Sequence, residues 1–298
     1  MNHFSMPGVT TALVTPFTPE GSVDINMFFR LLQRQLDAGI RSIVVCGTTG
    51  EAPTLSDGEK KLLFRSAKEF VGSDGTIIAG TGSNCTEKAV KLSQTAQEAG
   101  ADGLLVVTPY YNKASSDGLI RHYTAIAQAV SLPVILYNVP SRTGVDISPE
   151  VCLALSQIPN IVGIKEASGD LKKAALIRSL CPESFQLWSG CDDLTLPMMA
   201  IGAQGVISVL SNVLPHAALQ MTAAVNCRDF EKSRAIFFRA FPVIQALFSE
   251  VNPIPVKAAM KIIGYDCGSC RLPLTDLQQE DTAKLKKLLD DFLSSELV

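Results

Sequence analysis

Two residues at the ends of apolar runs carry groups able to do covalent and proton-transfer chemistry. Lys165 closes the run Ile161-Val162-Gly163-Ile164-Lys165, and Tyr137 closes Val134-Ile135-Leu136-Tyr137. Side chains alternate along a strand, so Lys165 is expected to share a face with Gly163 and Ile161. Where such a face lines an apolar interior, desolvation disfavours an ammonium, and an uncharged amine attacks a ketone to form an imine. The competing reading is a strand-end lysine that reaches solvent or pairs with Glu166. Tyr137 can pass protons to and from a carbinolamine, or it is a core aromatic whose hydroxyl finds a backbone partner.

Other polar residues cluster at further run ends. In Gly47-Thr48-Thr49-Gly50-Glu51, two hydroxyls and backbone N–H groups in a glycine-flanked turn can grip a carboxylate, or form an ordinary turn. In Ser141-Arg142-Thr143-Gly144, the guanidinium of Arg142 can take a second carboxylate through two parallel hydrogen bonds, or be a solvated loop arginine. Tyr110 and Tyr111 follow a fourth run and suit packing, an interface or a lid.

Short apolar runs rich in Val, Ile and Leu must position these groups. They cover 10–17, 42–47, 76–82, 103–109, 133–140, 161–168, 185–190 and 205–211. Runs apolar on both faces suit parallel strands covered by helices. Helical patterns with start signals lie between them. Ser56 and Glu59 form a capping box ahead of an amphipathic stretch to Phe70. Thr86 precedes a helix to Glu98, with Gly100 as its stop, and Pro149 stands at a first helical position after Ser148. Eight such units predict a (β/α)8 TIM barrel, whose active site lies at the C-terminal ends of its strands. An open doubly wound sheet competes, but no GxGxxG follows the first run. The barrel is expected over 1–224 and a C-terminal helical extension over 225–298, with a helix near 229–248 and a proline-marked break at 251–255.

Composition narrows the function classes. Hydrophobic residues make up 47% and charged residues 18% of the 298, with a net charge of −3, as in a globular protein with a large core. No basic block points to nucleic acid. No apolar run approaches the roughly 20 residues of a membrane span, and residues 1–8 lack a secretory pattern, so a cytoplasmic location is expected. The eight cysteines read as reduced, buried small hydrophobes. Cys267 and Cys270 form a CxxC, but only His3, His122 and His216 could supplement it, so no metal is expected.

The motifs taken together resemble the dihydrodipicolinate synthase / N-acetylneuraminate lyase superfamily. Gly47–Glu51, Gly80-Thr81-Gly82, Thr108-Pro109-Tyr110-Tyr111-Asn112, Tyr137–Gly144, Gly163–Glu166, Gly205–Ser208 and Asn252–Lys257 occur in the superfamily's order and spacing, across essentially the whole chain. The resemblance implies that Lys165 is the Schiff-base lysine for pyruvate and Tyr137 the general acid/base. It implies that Thr48 relays protons between Tyr137 and a Tyr111 donated across a dimer interface. Thr49 matches the residue holding the pyruvate carboxylate, and Ile207 one whose backbone lines that site. Synthases of the superfamily carry Thr-Thr and an arginine at these motifs, whereas sialic-acid lyases lack the arginine. Arg142 therefore implies L-aspartate 4-semialdehyde as second substrate and 4-hydroxy-tetrahydrodipicolinate as product, in the diaminopimelate route to lysine. The alternative activity is retro-aldol cleavage of a sialic acid or 2-keto-3-deoxy sugar acid, and a catalytically silent barrel is a third reading. The resemblance also implies a homotetramer built as a dimer of dimers, and no metal or organic cofactor. Lysine-inhibited members bind their effector near positions matching Pro53, Asp57, Lys60, Asn84 and Lys88. Lys88 stands where a glutamate usually receives the effector's ammonium, so feedback by lysine is expected to be weak. Cys191 and Asp192 stand where synthases often carry two acids, with no consequence assigned.

Overall fold

The computed structural model describes Phe4, Met6 and residues 8–294. Most of the N-terminal stretch read for a targeting signal, including His3, lies outside the described residues. Eight parallel strands close into a barrel in chain order. They are β1 (Gly8–Ala12), β2 (Ser42–Val45), β3 (Thr76–Gly80), β4 (Gly103–Val107), β5 (Val134–Asn138), β6 (Ile161–Glu166), β7 (Gln186–Ser189) and β8 (Gly205–Ser208). Closure comes from β8 pairing back on β1, with Val9 opposite Val206 and Thr10 opposite Ile207. The (β/α)8 expectation therefore holds.

The first strand differs from expectation. It starts at Gly8 and stops at Ala12, while 13–17 form a loop. That stretch is apolar because Leu13, Val14 and Phe17 are buried in the core, not because it is paired in the sheet. Pro16, which has no N–H for a ladder, interrupts it. Most start and stop signals are realised, but Thr86 is the first residue of its helix, with Cys85 as an N-cap that gives no side-chain hydrogen bond. Ser56 caps the helix Asp57–Val71 through a complete capping box with Glu59. Ser148 caps Pro149–Leu155, and Thr86–Glu98 ends before Gly100, whose φ is +84°.

Alternation along the strands divides the core in two. The larger part lies between sheet and helices. The smaller fills the barrel and includes Met6, Val44, Ile78, Ile135, Tyr137, Trp188 and Ile207. Met6 closes the barrel below Trp188, whose indole Nε1 donates to the Met6 carbonyl at 3.0 Å.

After the barrel come the helices Phe230–Ala246, Ile254–Ile262 and Gln279–Ser294, near the expected positions. The first is capped by Asp229. Two charged contacts bind this part to the top of the barrel. Lys257 Nζ donates to Glu51 Oε1 at 2.8 Å, with side chains 4% and 0% exposed. Glu51 Oε2 accepts the Arg271 backbone N–H at 2.8 Å, and Lys257 also donates to the Ser269 carbonyl at 3.0 Å. Arg271 in turn forks onto Glu59, and that hydrogen bond holds the Glu59 carboxyl down at about 2.

Removing one member of a buried ion pair leaves the other charged and desolvated. Lys257→Ala is therefore expected to lower unfolding stability by about 3–5 kcal/mol, as measured by urea titration. A loss under about 1 kcal/mol would show that Glu51 is not held as an uncompensated charge. A second expectation concerns acid. The Glu59 carboxyl is depressed on folding, so its contribution is present above its ordinary value of 4.5 and is lost as pH falls toward about 2. Glu59→Gln should flatten the stability–pH curve across that window, and an unchanged slope would remove Glu59 from the acid response.

Candidate active site

The C-terminal ends of β5 and β6 lie side by side, with Tyr137 opposite Lys165 in the ladder. Lys165 is 5% exposed and its Nζ lies 4.3 Å from the centroid of the Tyr137 ring. Both alternatives left open for the lysine fail. The side chain is nearly buried. The Glu166 carboxylate is already engaged, accepting Asn138 Nδ2 at 2.9 Å and the Ser168 N–H at 2.6 Å. Among the described residues the Lys165 amine forms no hydrogen bond or ion pair.

One expected neighbour is different. Gly163 faces the barrel interior with Lys165, since a Cβ there would come within 2.8 Å of the Trp188 ring. Ile161 instead belongs to the outer core, while Val162 packs on the inner cluster. The register shifts where Val134 pairs with Ile161 and Ile135 with Gly163, so an extra residue reverses the alternation at the start of β6. Gly190, after β7, leaves room for the amine-bearing chain. A Cβ there would lie 3.0 Å from Lys165 Cε and 2.5 Å from the Ala167 Cβ.

A cavity of about 310 Å3 reaches Tyr137, while Lys165 does not line it. Tyr137, Thr48 and Arg142 line it, and Tyr110 and Thr143 contribute to its wall. Thr49 and Ile207 are buried and do not line it. Thr49 Oγ1 accepts Asn252 Nδ2 at 3.0 Å, and the Asn252 carbonyl accepts Arg142 Nη2 at 3.0 Å. One residue of the C-terminal part therefore touches both candidate carboxylate-binding groups. Tyr111 stands apart, with 89% of its surface exposed and a left-handed φ of +74°. Its own protomer does not bring it into the cavity wall.

Sequence reasoning assigned no part to Asn252 or Asp192. Asp192 is 2% exposed and accepts Ser208 Oγ at 2.5 Å and the N–H groups of Val209 and Leu210 at 2.8 and 3.0 Å. Burial nevertheless pushes its carboxyl up, and the nearby Lys165 acts in the opposite direction. The available signal was its place just beyond the end of β7. Cys191 beside it is held as a thiol, pushed up to about 12 by burial.

Among the described residues no three His, Cys, Asp or Glu side chains are grouped to hold a metal ion. Cys267 is buried and Cys270 half-buried, and burial pushes both thiols up to about 12. No described helix is long and apolar enough to cross a membrane.

Known proteins resemble this chain along nearly all of its length. The model of the dihydrodipicolinate synthetase family matches residues 5–292. A 4-hydroxy-tetrahydrodipicolinate synthase from Caldicellulosiruptor bescii is 47% identical over 292 residues, covering 98% of each chain. The crystal structure of the chloride-inhibited dihydrodipicolinate synthase from Acinetobacter baumannii, complexed with pyruvate, superposes with a TM-score of 0.95 at 39% identity. It covers 99% of this chain and 100% of that one. A monomeric dihydrodipicolinate synthase variant gives the same TM-score at 39% identity and 98% coverage of both chains. A barrel matched in sequence and backbone over nearly its full length places this chain in the dihydrodipicolinate synthetase family.

Proposed function

We propose that this enzyme condenses pyruvate with L-aspartate 4-semialdehyde to give 4-hydroxy-tetrahydrodipicolinate, in the diaminopimelate route to lysine. The observation that carries the reading is Lys165, buried without a carboxylate partner against Tyr137. The Lys165 amine forms no ion pair and stands beside a phenol, which leaves it free to add to a ketone carbon. Lys165 Nζ adds to the pyruvate ketone carbon, and the carbinolamine loses water to become an imine. The protonated imine accepts the electron pair left when a methyl proton departs, giving an enamine. The enamine carbon bonds to the aldehyde carbon of the semialdehyde. The substrate's own amine then displaces Lys165 and closes the ring, which frees the lysine.

Tyr137 moves the protons, with Thr48 relaying them along the cavity wall. Thr49 and the Ile207 backbone position pyruvate, and Arg142 takes the carboxylate of the semialdehyde. Tyr111, turned out of its own protomer, completes the relay of a neighbouring copy. A homotetramer, built as a dimer of dimers, supplies that neighbour, although a monomeric variant shares the backbone fold. The route uses no metal or organic cofactor and places the enzyme in the cytoplasm. The catalytic barrel is taken as 1–224 and the helical extension as 225–298. Arg142 on the cavity wall favours this reading over retro-aldol cleavage of a sugar acid.

Borohydride with pyruvate is expected to trap a covalent adduct on Lys165, read by peptide mass, and Lys165→Ala should abolish it. No adduct at saturating pyruvate would leave a binding barrel without this chemistry. Arg142→Ala is expected to cost about 10- to 100-fold in kcat/KM for the semialdehyde, the worth of a hydrogen bond to a charged group, while adduct formation with pyruvate persists. Unchanged semialdehyde kinetics, or turnover of N-acetylneuraminate alone, would remove Arg142 from that role.

A further inference from the structure

One buried acid near the amine has no part in the proposed reaction. Asp192 follows β7 and is 2% exposed. Its place coincides with a gap in the sheet. The β7–β8 ladder has two pairs, Trp188 with Gly205 and Ser189 with Val206, and ends there. β8 runs two residues further, and Ile207 and Ser208 are paired on the other side alone, with Thr10 and Thr11 of β1. Asp192 fills the open side. Its Oδ1 accepts Ser208 Oγ at 2.5 Å, and its Oδ2 accepts the N–H groups of Val209 and Leu210 at 2.8 and 3.0 Å. One carboxyl group thus takes the place of the missing strand at the three residues that follow Ile207.

The same carboxyl is tied to the strand that bears Lys165. The Gly190 N–H donates to the Glu166 carbonyl at 2.7 Å, one residue past the lysine, and a Cβ at Gly190 would lie 3.0 Å from Lys165 Cε. Ser189 Oγ donates to the Cys191 carbonyl at 2.8 Å, and Thr195 Oγ1 to the Asp192 carbonyl at 2.9 Å. Both ends of the short turn Asp192–Leu194 are therefore held. Ser208 Oγ passes the constraint on by accepting the Ser211 N–H at 2.9 Å. A buried polar network whose bonds are all made rigidifies what it touches. Such a network runs from the end of β6, through Gly190 and Asp192, to the end of β8.

We propose that Asp192 is a positioning residue for the pyruvate step: it holds the exit of β8, and with it the Ile207 backbone, at a fixed distance from Lys165. The inference rests on the reading of Lys165 as the amine that takes pyruvate. Asp192 neither touches the substrate nor moves a proton, so it acts through geometry alone. The semialdehyde step, which uses Arg142, is outside its reach.

The test reads borohydride-trapped adduct by peptide mass at graded pyruvate, together with the steady-state KM for each substrate. Asp192→Ala is expected to raise the half-saturating pyruvate concentration at least about tenfold, as loss of several buried hydrogen bonds does, and to leave KM for the semialdehyde within about twofold. Asp192→Asn keeps an oxygen for the two N–H groups and an amide to face Ser208 Oγ, so it should recover most of that loss. Should Asp192→Ala fail to fold, Ser208→Ala decides, with an expected rise of about threefold for one lost hydrogen bond. The inference is overturned if the wild type traps pyruvate and the deciding variant depends on pyruvate as the wild type does. A lower unfolding temperature with that result would mark a structural role alone. Equal rises for both substrates overturn it too, as does Asp192→Asn as impaired as Asp192→Ala, which would assign the effect to charge. Absence of an adduct in the wild type would instead remove the reaction at Lys165, and this inference with it.

Discussion

The site depends on keeping one amine out of water without giving it a counter-ion. A lysine is seldom buried, because desolvation of its ammonium is unfavourable and a carboxylate usually compensates. Here the adjacent carboxylate, Glu166, is turned to the other side of the strand and occupied by Asn138 and Ser168. The inner face around Lys165 offers instead the Tyr137 ring, the Trp188 side chain and the glycine at 190. Asp192 lies near enough to act on Lys165, but its oxygens are held by Ser208 and two backbone N–H groups. The closed sheet supplies both the dryness and the fixed neighbour, since β5 and β6 hold Tyr137 and Lys165 in register.

The C-terminal helices belong to this arrangement. Asn252 donates to Thr49 and accepts from Arg142, so the spacing of the two candidate groups depends on a residue outside the βα units. The buried Glu51–Lys257 pair anchors the same segment to the loop that carries Thr48 and Thr49. Desolvation makes such a pair a weak source of net stability, but it makes the position of the segment strict, because either charge alone would be stranded. In this way the C-terminal helices fix the positions of residues at the top of the barrel as well as packing on it.

Much of this was legible in the chain because its signals are local. The capping box at Ser56 and Glu59, the proline after Ser148 and the glycine after Glu98 act within a few residues, and each helix begins or ends where those rules require. The first strand was misjudged because apolarity reports burial rather than pairing. Leu13 and Phe17 are as buried in a loop as they would be in the sheet. Ile161 was assigned to the wrong face because strict alternation takes no account of an extra residue in a ladder. Asn252 and Glu51 escaped a structural reading because their partners lie 203 and 206 positions away.

The sequence by itself determined the eight-unit barrel, the ends of its helices and which reactive side chains close which strands. Periodicity and capping are properties of neighbouring residues, and they survive in one dimension. Only the tertiary structure decided that Lys165 is nearly buried beside Tyr137 with its amine unpaired, and that Thr49 and Arg142 share Asn252. Desolvation and charge compensation depend on every group packed around an atom, and that set exists only once the sheet has closed.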